Sequence, residues 1–551
     1  MRQITLLLSC IFILNLNAQS VFYPSSSFGE YQMMRTYYGG SFHRLTWVPD
    51  VYSRGIAFKD TNSHKYIDII EANGSGHNID YINNDNLALE SKRNLGNCFK
   101  SIYKYPSAFY AFKDFDNVLV VNPVLNAQIG KESETNNQIF QNTRGAEIFG
   151  VIGGKTNGVG FYSLFTENQA LFSKPYQQLQ DSFNFVPNEL FFKKFKNKGA
   201  IDYFQARAYV TFNAAKGHIK FKFGHDKHKI GNGYRSLILS DFAPQYLFLK
   251  LNTDVGRFHY QNLFTQFTDN YQILGNTLFG KKYGAFHRLS FNPLRNLSFG
   301  INEMVIFDRK DSIQGNQYDL NYLNPVIFYR AVESNLGSRD NSLMAIDFQW
   351  SPRFKYMVYG QFVLDEFSLK QLKTNPNWWG NKYAYQLGIR AFNLAKIKHL
   401  DVLLEYNSAR PYTYSHYRSS QSYSHFNQAL AHPLGANFSE IVSEIKYVAF
   451  KKLYSTLTFI YVTQGKDSSI NGRNYGSNIL RNYNTRATNN ESKMLMGDKR
   501  NRLITELSLS YMLKHNLWID ARFNFQINNS KQMSFYQLGV RLNADLKQFN
   551  Y

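Results

Sequence analysis

The sequence has only two cysteines among its 551 residues, Cys10 and Cys98. Cys10 lies in an apolar N-terminal stretch typical of an export signal, so a processed chain would keep Cys98 alone. One cysteine forms no internal disulfide and supplies no thiolate-rich metal site. This scarcity excludes a disulfide-stapled secreted scaffold.

Long hydrophobic runs are missing too. Beyond the N-terminal segment no stretch has 18 consecutive apolar residues, and the uncharged stretch at 117–130 contains Pro123 and three asparagines. A membrane-spanning helix needs about 20 apolar residues. An exported chain without such a helix is either soluble or a closed β-barrel, the other structure that pairs every backbone group within lipid.

The N-terminus predicts export. Arg2 precedes an apolar stretch at 4–16, and Ala18 offers a small residue for cleavage. A lipoprotein signal at Cys10 is the alternative, but too few apolar residues precede it. We expect a signal peptide at 1–18, an N-terminal cap, plug or entry segment at 19–115 with faint helical character at 85–100, and an outer-membrane β-barrel at 116–551.

Aromatic residues and positive charge are abundant. Aromatics make up 17% of the chain, proline contributes 13 residues, and the formal net charge is +22. Tyr and Phe favour half-buried strands and form the interfacial girdles of membrane barrels. The basic balance indicates affinity for outer-membrane lipid, lipopolysaccharide or acidic polysaccharide. Nucleic acid is not expected as a partner of an exported chain.

Alternation with period 2 recurs from about residue 200 to the end. Phe204 and Val210 share one face of the first such segment, and Gln205 and Arg207 share the other. Further apolar rows are Leu297–Phe299–Ile301–Val305–Phe307, Tyr356–Val358–Phe362–Leu364, Leu507–Leu509–Tyr511–Leu513, Ile519–Ala521–Phe523–Phe525 and Tyr536–Leu538–Val540. Each segment is long enough for a tilted strand to cross the hydrocarbon layer.

These rows predict an all-β fold, a transmembrane antiparallel β-barrel of about 16–18 strands with an irregular, partly helical N-terminal segment. A soluble sandwich would also alternate. The long segments, their charged polar faces and the aromatic residues Phe549 and Tyr551 after the last segment favour the barrel. The long segments at 407–438 and 465–502 predict external loops.

Candidate ligand-binding residues cluster in these loops. Arg410, Tyr412, Tyr414 and His416, followed by Tyr417 and Arg418, form an aromatic and basic group. Secondary candidates are Arg235, Trp378 and Trp379. Aromatic faces stack on sugar rings and arginine binds carboxylates, so the mixture suits an acidic glycan. A packed loop or an interfacial girdle is the structural alternative.

Other polar motifs carry weaker signals. His225, Asp226 and His228 suit a polar turn better than a metal site, and residues 231–233 suit a glycine turn with close backbone approach. The adjacent carboxylates Asp365 and Glu366 are expected to form salt bridges. We find no motif for a catalytic nucleophile, a metal or a cofactor, so the sequence does not indicate an enzyme.

Several segments together resemble the Wzi-type capsule-assembly outer-membrane barrels, in the branch found in gliding, polysaccharide-coated bacteria. They lie between about residues 100 and 480, at 122–126, 142–145, 223–244, 322–330, 337–342, 359–361, 364–367, 378–382, 405–407, 410–416 and 431–437. The resemblance implies 18 strands, inward-folded loops and a helical element near the periplasmic mouth. Members act as surface lectins that attach polysaccharide to the cell, and some relatives support gliding.

The resulting hypothesis is a non-enzymatic outer-membrane barrel that binds or anchors capsular or exopolysaccharide. We expect no cofactor, and a monomer is the favoured oligomeric state. Three alternatives stay open at this stage: a porin-like channel, a component of gliding or secretion machinery, and a secreted soluble β enzyme.

Overall fold

The computed structural model describes residues 109–551, apart from 115–116, 134–136, 153–158, 196–198, 216–217, 271–278, 295, 312–314, 326–327, 339, 353–354, 451, 469–471, 515–516 and 548. It also describes the paired strands Phe58–Lys59 and Tyr66–Ile67. The predicted signal peptide, the faint helix at 85–100 and Cys98 lie outside the described residues.

Eighteen antiparallel strands close into one barrel, which confirms the predicted fold class. They are β1 Asn117–Glu132, β2 Gln138–Ile152, β3 Val159–Leu171, β4 Ala200–Ala214, β5 Ile219–Asp226, β6 Tyr246–Val255, β7 Phe258–Asp269, β8 Gly280–Leu294, β9 Leu297–Phe307, β10 Asn341–Trp350, β11 Tyr356–Glu366, β12 Lys382–Ala391, β13 Leu400–Ala409, β14 Phe438–Ala449, β15 Leu453–Lys466, β16 Asp498–Lys514, β17 Leu517–Asn528 and β18 Lys531–Leu542.

The seam of the barrel joins β18 to β1, from Phe535 opposite Glu132 to Leu542 opposite Leu125. A short strand, Tyr110–Asp114, pairs with the remaining part of β1. Another, Phe192–Phe195, pairs with the start of β4. The seam is therefore paired along most of its length, as hydrocarbon requires.

The predicted apolar rows form the outer surface of this wall. On β4 the side chains of Phe204 and Val210 are exposed on the outside, whereas Tyr203 and Tyr209 face the lumen and are buried. Ile519 and Phe523 on β17 and Leu538 on β18 repeat the pattern. In a membrane these exposed side chains meet acyl chains, because period 2 sends alternate residues to opposite faces.

The two ends of the barrel differ in loop length. One end carries short turns such as residues 256–257, and the other carries the connections 172–199, 227–245, 308–340, 367–381, 410–437 and 467–497. Long loops face outwards in barrels of this kind and short turns face the periplasm.

Three α-helices lie in the long-loop connections: α1 Lys174–Phe183, α2 Tyr329–Leu336 and α3 Leu369–Thr374. Short 3-10 turns occur at Leu320–Leu323, Leu394–Lys396, Ser419–Gln421 and Tyr483–Thr485, and two-residue strands at Lys310–Asp311, Gly315–Asn316, Ser424–His425 and Gln428–Ala429. Within the described part of the chain no helix has the length and apolarity to span a bilayer. At the end with the short turns, the described residues include the 3-10 turn Leu394–Lys396.

Loops fill the lumen. Leu237, Ile238 and Leu239 of the 227–245 loop pack with Tyr414, Tyr423 and Leu430 of the 410–437 loop, and the luminal side chains Phe248, Met304 and Leu343 complete this apolar core. We call these two loops together the luminal plug. The predicted inward folding of the long loops thus rests on an apolar core of its own inside the barrel.

The chain after β18 does not continue the wall. Residues 543–547 and 549–551 turn into the lumen, where Phe549 and Tyr551 pack with Phe172 and Tyr176. The Arg235 guanidinium donates to the Asn550 carbonyl oxygen. Phe549 and Tyr551, whose position after the last apolar row favoured the barrel, therefore do not belong to the closing strand. These aromatics serve luminal packing because β18 already ends at Leu542.

The described residues of the 308–340 connection fold over the outside of the wall, and we call them the outer collar. It covers Val305 and Phe307, the upper end of the apolar row predicted on β9. That part of the row contacts a second layer of the same chain instead of lipid, which corrects the prediction. The lower residues Phe299 and Ile301 stay exposed.

A charge on the exposed outer wall should be poorly tolerated. Ile301 is 54% exposed on β9, and Ile301→Arg should lower the free energy of unfolding by about 2–4 kcal/mol because the guanidinium would face hydrocarbon. Denaturant titration in phospholipid vesicles measures the change. Asn490→Arg, in an exposed external loop, is the control and should change it by less than about 0.5 kcal/mol.

Candidate functional site

Three external loops meet at the outer mouth of the barrel. The 367–381 loop supplies Trp378 and Trp379, the 410–437 loop supplies Tyr412, His416 and Tyr417, and the 467–497 loop supplies Tyr483. These six side chains, which we call the rim cluster, form one set of ring contacts. The cluster brings together residues that are more than 100 positions apart in the sequence.

Trp379 and Tyr483 form the centre of the rim cluster. Their ring centroids lie 5.0 Å apart, and Tyr412 meets the Trp379 ring edge-on at 6.2 Å. His416 lies 4.3 Å from Tyr417, and Tyr417 lies 6.3 Å from Tyr483. Trp379, Tyr417 and Tyr483 are half-buried, so part of each ring faces solvent at the mouth.

Cations surround these rings. The Arg486 guanidinium lies 4.1 Å from the Trp379 ring centroid, and the Lys382 ammonium lies 4.3 Å from the Tyr483 ring centroid. Arg418 lies 5.5 Å from the Tyr417 ring centroid and has 57% of its side chain exposed. These distances suit cation–π attraction, which orients both the cation and the ring.

The predicted residues Arg410, Tyr412 and His416 are buried among the loops. Arg410 donates to the carbonyl oxygens of Pro376 and Ser492, both at 3.1 Å. The Tyr412 hydroxyl donates to the Asn474 carbonyl oxygen at 2.7 Å. Their polar groups therefore hold the three loops in register, while the Trp379, Tyr417 and Tyr483 rings remain accessible.

Glycine allows one of these close approaches. Gly476 has φ +77°, and a Cβ there would lie 2.4 Å from the Tyr412 backbone nitrogen. The Tyr412 amide donates to the Gly476 carbonyl oxygen at 2.9 Å. A side chain at position 476 would separate the 410–437 and 467–497 loops.

Tyr414 and Arg235 lie deeper, in the luminal plug. The Tyr414 hydroxyl donates to the Leu237 carbonyl oxygen at 2.7 Å, which joins the two plug loops. Arg235 lies 3.3 Å from the Glu440 carboxylate. Neither side chain reaches the outer surface, since both are more than nine-tenths buried.

One carboxylate anchors the plug to the wall. Glu405 on β13 accepts hydrogen bonds from the Tyr234 and Arg235 amides at 2.7 and 3.0 Å, from the Tyr359 hydroxyl at 2.7 Å and from the Asn407 side chain at 2.8 Å. Four donors compensate the burial of its charge. A Cβ on Gly233 would lie 2.4 Å from this carboxylate, which confirms the predicted close backbone approach.

The polar motifs at 225–228 and 365–366 contain carboxylates that form salt bridges within the chain. Asp226 forms salt bridges with Arg207 and Lys222 at 2.5 and 3.3 Å. No three of the described His, Cys, Asp or Glu side chains are grouped to hold a metal ion. A register shift after Leu364 lets both Asp365 and Glu366 approach Lys382, at 3.9 and 3.2 Å. The predicted salt bridges thus form, although adjacent strand residues normally face opposite sides.

Below the plug the lumen contains a polar cavity of ≈ 360 Å³. Arg207, Arg522 and Lys446 contribute cations to its lining, and Glu444 and Glu506 contribute carboxylates. The two signs are mixed, and several of the charges pair directly with one another. The cavity therefore lacks the single-sign field that would select an ion.

Two important residues escaped the sequence analysis, Tyr483 and Arg486. They lie in the segment predicted only as a long basic loop, among asparagines and serines. The available signal in the sequence was an aromatic and a basic residue three positions apart within a polar tract, the same combination that marked the 410–418 segment. Their contact with Trp379, about 100 residues earlier in the chain, forms only when the loops fold together, so the local sequence does not predict it.

A closed 18-stranded wall, an apolar outer face and a filled lumen define an outer-membrane β-barrel with an internal plug. The model of the family described as capsule assembly protein Wzi matches residues 172–532. This match spans more than half of the chain, and the chain belongs to that family. A search of curated proteins gives no match.

Solved structures also resemble the chain. Wzi of Escherichia coli, described as an outer-membrane, carbohydrate-binding β-barrel involved in group 1 capsule assembly, is 13% identical, with 77% of this chain and 85% of that chain covered and a TM-score of 0.47. OprD of Pseudomonas aeruginosa is 10% identical, with 77% and 92% covered and a TM-score of 0.41. OpdK of the same organism is 10% identical, with 78% and 99% covered and a TM-score of 0.44.

Loss of the Glu405 anchor should loosen the plug. Glu405→Ala leaves the Tyr234 and Arg235 amides without their acceptor, so we expect ion conductance in planar bilayers where the unchanged protein is nearly silent. Glu491→Ala, in an exposed external loop, should stay silent. A Glu405→Ala protein as silent as wild type would contradict the assigned role.

Acid should loosen the plug as well. Burial lowers the pKa of His425 to about 3, and burial followed by the nearby Lys382 charge lowers the pKa of His416 to about 4. A released loop would have an ordinary histidine pKa of about 6.5 and would bind protons that the docked loop refuses. Docking should be independent of pH above about 6.5 and should weaken as the pH falls from 6.5 towards 4.

Conductance recorded between pH 7.5 and pH 4.5 measures this effect. Gln at position 425 can reproduce the contacts of the His425 side chain with the Thr268 amide and the Gln245 carbonyl oxygen without titrating. His425→Gln should therefore reduce the rise in conductance. An equal rise in wild type and variant would exclude His425 as a cause.

Proposed function

We propose that this barrel binds acidic capsular or exopolysaccharide at the cell surface and holds it there, without catalysing a reaction. The observation that carries the proposal is the rim cluster, where half-buried aromatic rings and cations meet at the outer mouth. A sugar ring presents apolar C–H faces that pack on aromatic rings, and its carboxylates pair with arginine.

The geometry suggests a role for each candidate residue. Trp379, Tyr417 and Tyr483 are proposed to stack on sugar rings, and Arg418 and Arg486 to bind their carboxylates. Tyr412, His416 and Trp378 support these rings from below and beside them. Arg410 fixes the loops, and Tyr414 and Arg235 fix the plug on which the loops rest.

The charge of the loops agrees with an acidic ligand. The connections 367–381, 410–437 and 467–497 contain eight Lys and Arg residues against two acidic residues. Like charges clustered at one mouth attract a polyanion from solution, and the attraction weakens with added salt. A neutral glycan would gain nothing from this excess.

The filled lumen favours a surface-binding role over a channel. The two plug loops share an apolar core and are tied to the wall through Glu405. A ligand bound at the rim would thus rest on a firm base. The family of the chain is named for capsule assembly, which supports surface polysaccharide as the ligand.

Removal of the central ring should weaken glycan binding. We expect Trp379→Ala to lower the affinity for an acidic capsular polysaccharide by about tenfold, equivalent to about 1.4 kcal/mol. The loss combines ring stacking with the cation–π contact to Arg486. A glycan array followed by titration calorimetry with purified protein in detergent measures the change.

Trp350→Ala is the matched control, because Trp350 is an exposed outward-facing tryptophan at the periplasmic end of β10. It should leave the affinity unchanged. Arg486→Ala should weaken binding and reduce its salt dependence. If wild type and Trp379→Ala bind the array equally, the rim cluster is not the binding site.

A further inference from the structure

The outer collar covers part of the outer face of the wall and takes no part in the proposed polysaccharide binding. Period 2 on β9 places Glu303, Val305 and Phe307 on the same outer face as the exposed residues Phe299 and Ile301. The collar residues Tyr322, Tyr329 and Val332 cover the upper part of this face. A helix therefore packs against the outside of the membrane wall.

Polar contacts fix the collar to the wall. The Glu303 carboxylate accepts hydrogen bonds from the amides of Tyr329 and Arg330, at 2.8 and 2.9 Å, and so caps the start of α2. The Tyr329 ring lies 3.8 Å from the outward-facing His287 ring on β8. Without the collar, Glu303 and His287 would both face the membrane, so the wall is built to carry it.

The register places the start of α2 within the apolar band. Glu303 lies opposite Met344 on β10, and Ile301 lies opposite Ile346. Met344 and Ile346 are exposed apolar side chains on the adjacent, uncovered strand. The collar thus descends to the level where its neighbouring strand meets acyl chains.

The free surface of the collar carries several exposed apolar side chains among neutral polar ones. Leu320 is 74% exposed and Phe328 is 68% exposed, with Leu323 and Leu336 also exposed. Residues 320–336 contain only two charged residues, Arg330 and Glu333, which bond to each other at 2.6 Å. A surface of this kind at this level fits hydrocarbon better than water.

We propose that the outer collar is inserted in the outer leaflet of the membrane, with acyl chains of the lipid packed on Leu320, Leu323 and Phe328. The collar then acts as a lateral anchor beyond the strands themselves. Insertion of the collar depends on the outer face of the wall and is independent of the proposed glycan site.

The collar is also bonded to the luminal plug. Asp308 accepts hydrogen bonds from the side chains of Ser420 and Gln421, both at 2.9 Å. Asp340 accepts from the Tyr322 hydroxyl at 2.7 Å and from the Gln421 side chain at 3.2 Å. Asp308 and Asp340 thus connect the lipid-facing collar to the plug at the upper end of the wall.

Site-specific fluorescence quenching tests the insertion. Phe328→Cys in a Cys10→Ser, Cys98→Ser background is labelled with NBD, and the full-length protein is refolded into vesicles of brominated phosphatidylcholine. Ile301→Cys on the lipid-facing wall and Asn490→Cys on an external loop serve as lipid and water references. We expect the label at 328 to be quenched by brominated lipid to the extent of 301, and to resist iodide.

Quenching by iodide to the level of Asn490→Cys would place the collar in water and overturn the proposal. Protection from both quenchers would show that a second copy of the chain covers the surface, which also overturns it. A label on Leu323→Cys repeats the test should Phe328→Cys fail to refold.

Discussion

A backbone amide inside hydrocarbon has no water to bond, and this constraint governs the rest of the chain. It closes the wall through the pairing of β18 with β1, and it leaves a wide lumen behind. Loops that enter the lumen meet a similar requirement, because many of their backbone groups are buried there. The Glu405 carboxylate accepts hydrogen bonds from the Tyr234 and Arg235 amides, and the Gln361 side-chain oxygen accepts one from the Leu237 amide.

The wall could be predicted from the sequence because its pattern is local. Alternation on β4 and on β17 is visible within a dozen residues, and the strand number follows from counting such segments. The plug has no comparable signature, since loops without a repeating period give no register. The apolar row on β9 shows the limit, because Val305 looks the same whether acyl chains or Tyr329 cover it.

The candidate site was only partly visible for a related reason. Trp378, Trp379 and the 410–418 segment stand out as aromatic and basic within a short window, and the rim brings most of them together. Tyr483 and Arg486 come from a distant loop, and no local feature pairs them with Trp379. Short segments far apart in the chain, at 231–235, 359–361, 405–407 and 432, carried the family resemblance, and their residues meet at the plug anchor.

Residues 543–551 have a consequence for assembly. They lie inside a wall whose last strand immediately precedes them, with Asn550 bonded to Tyr234 and Tyr551 bonded to Asn188. If β18 pairs with β1 first, these residues must still enter the lumen through the periplasmic opening and bind to Tyr234 and Asn188 of the loops already folded inside. If they enter first, β18 carries them in as it zips onto β1. In the first order, closure of the wall and filling of the lumen are separate steps, whereas in the second order they occur together.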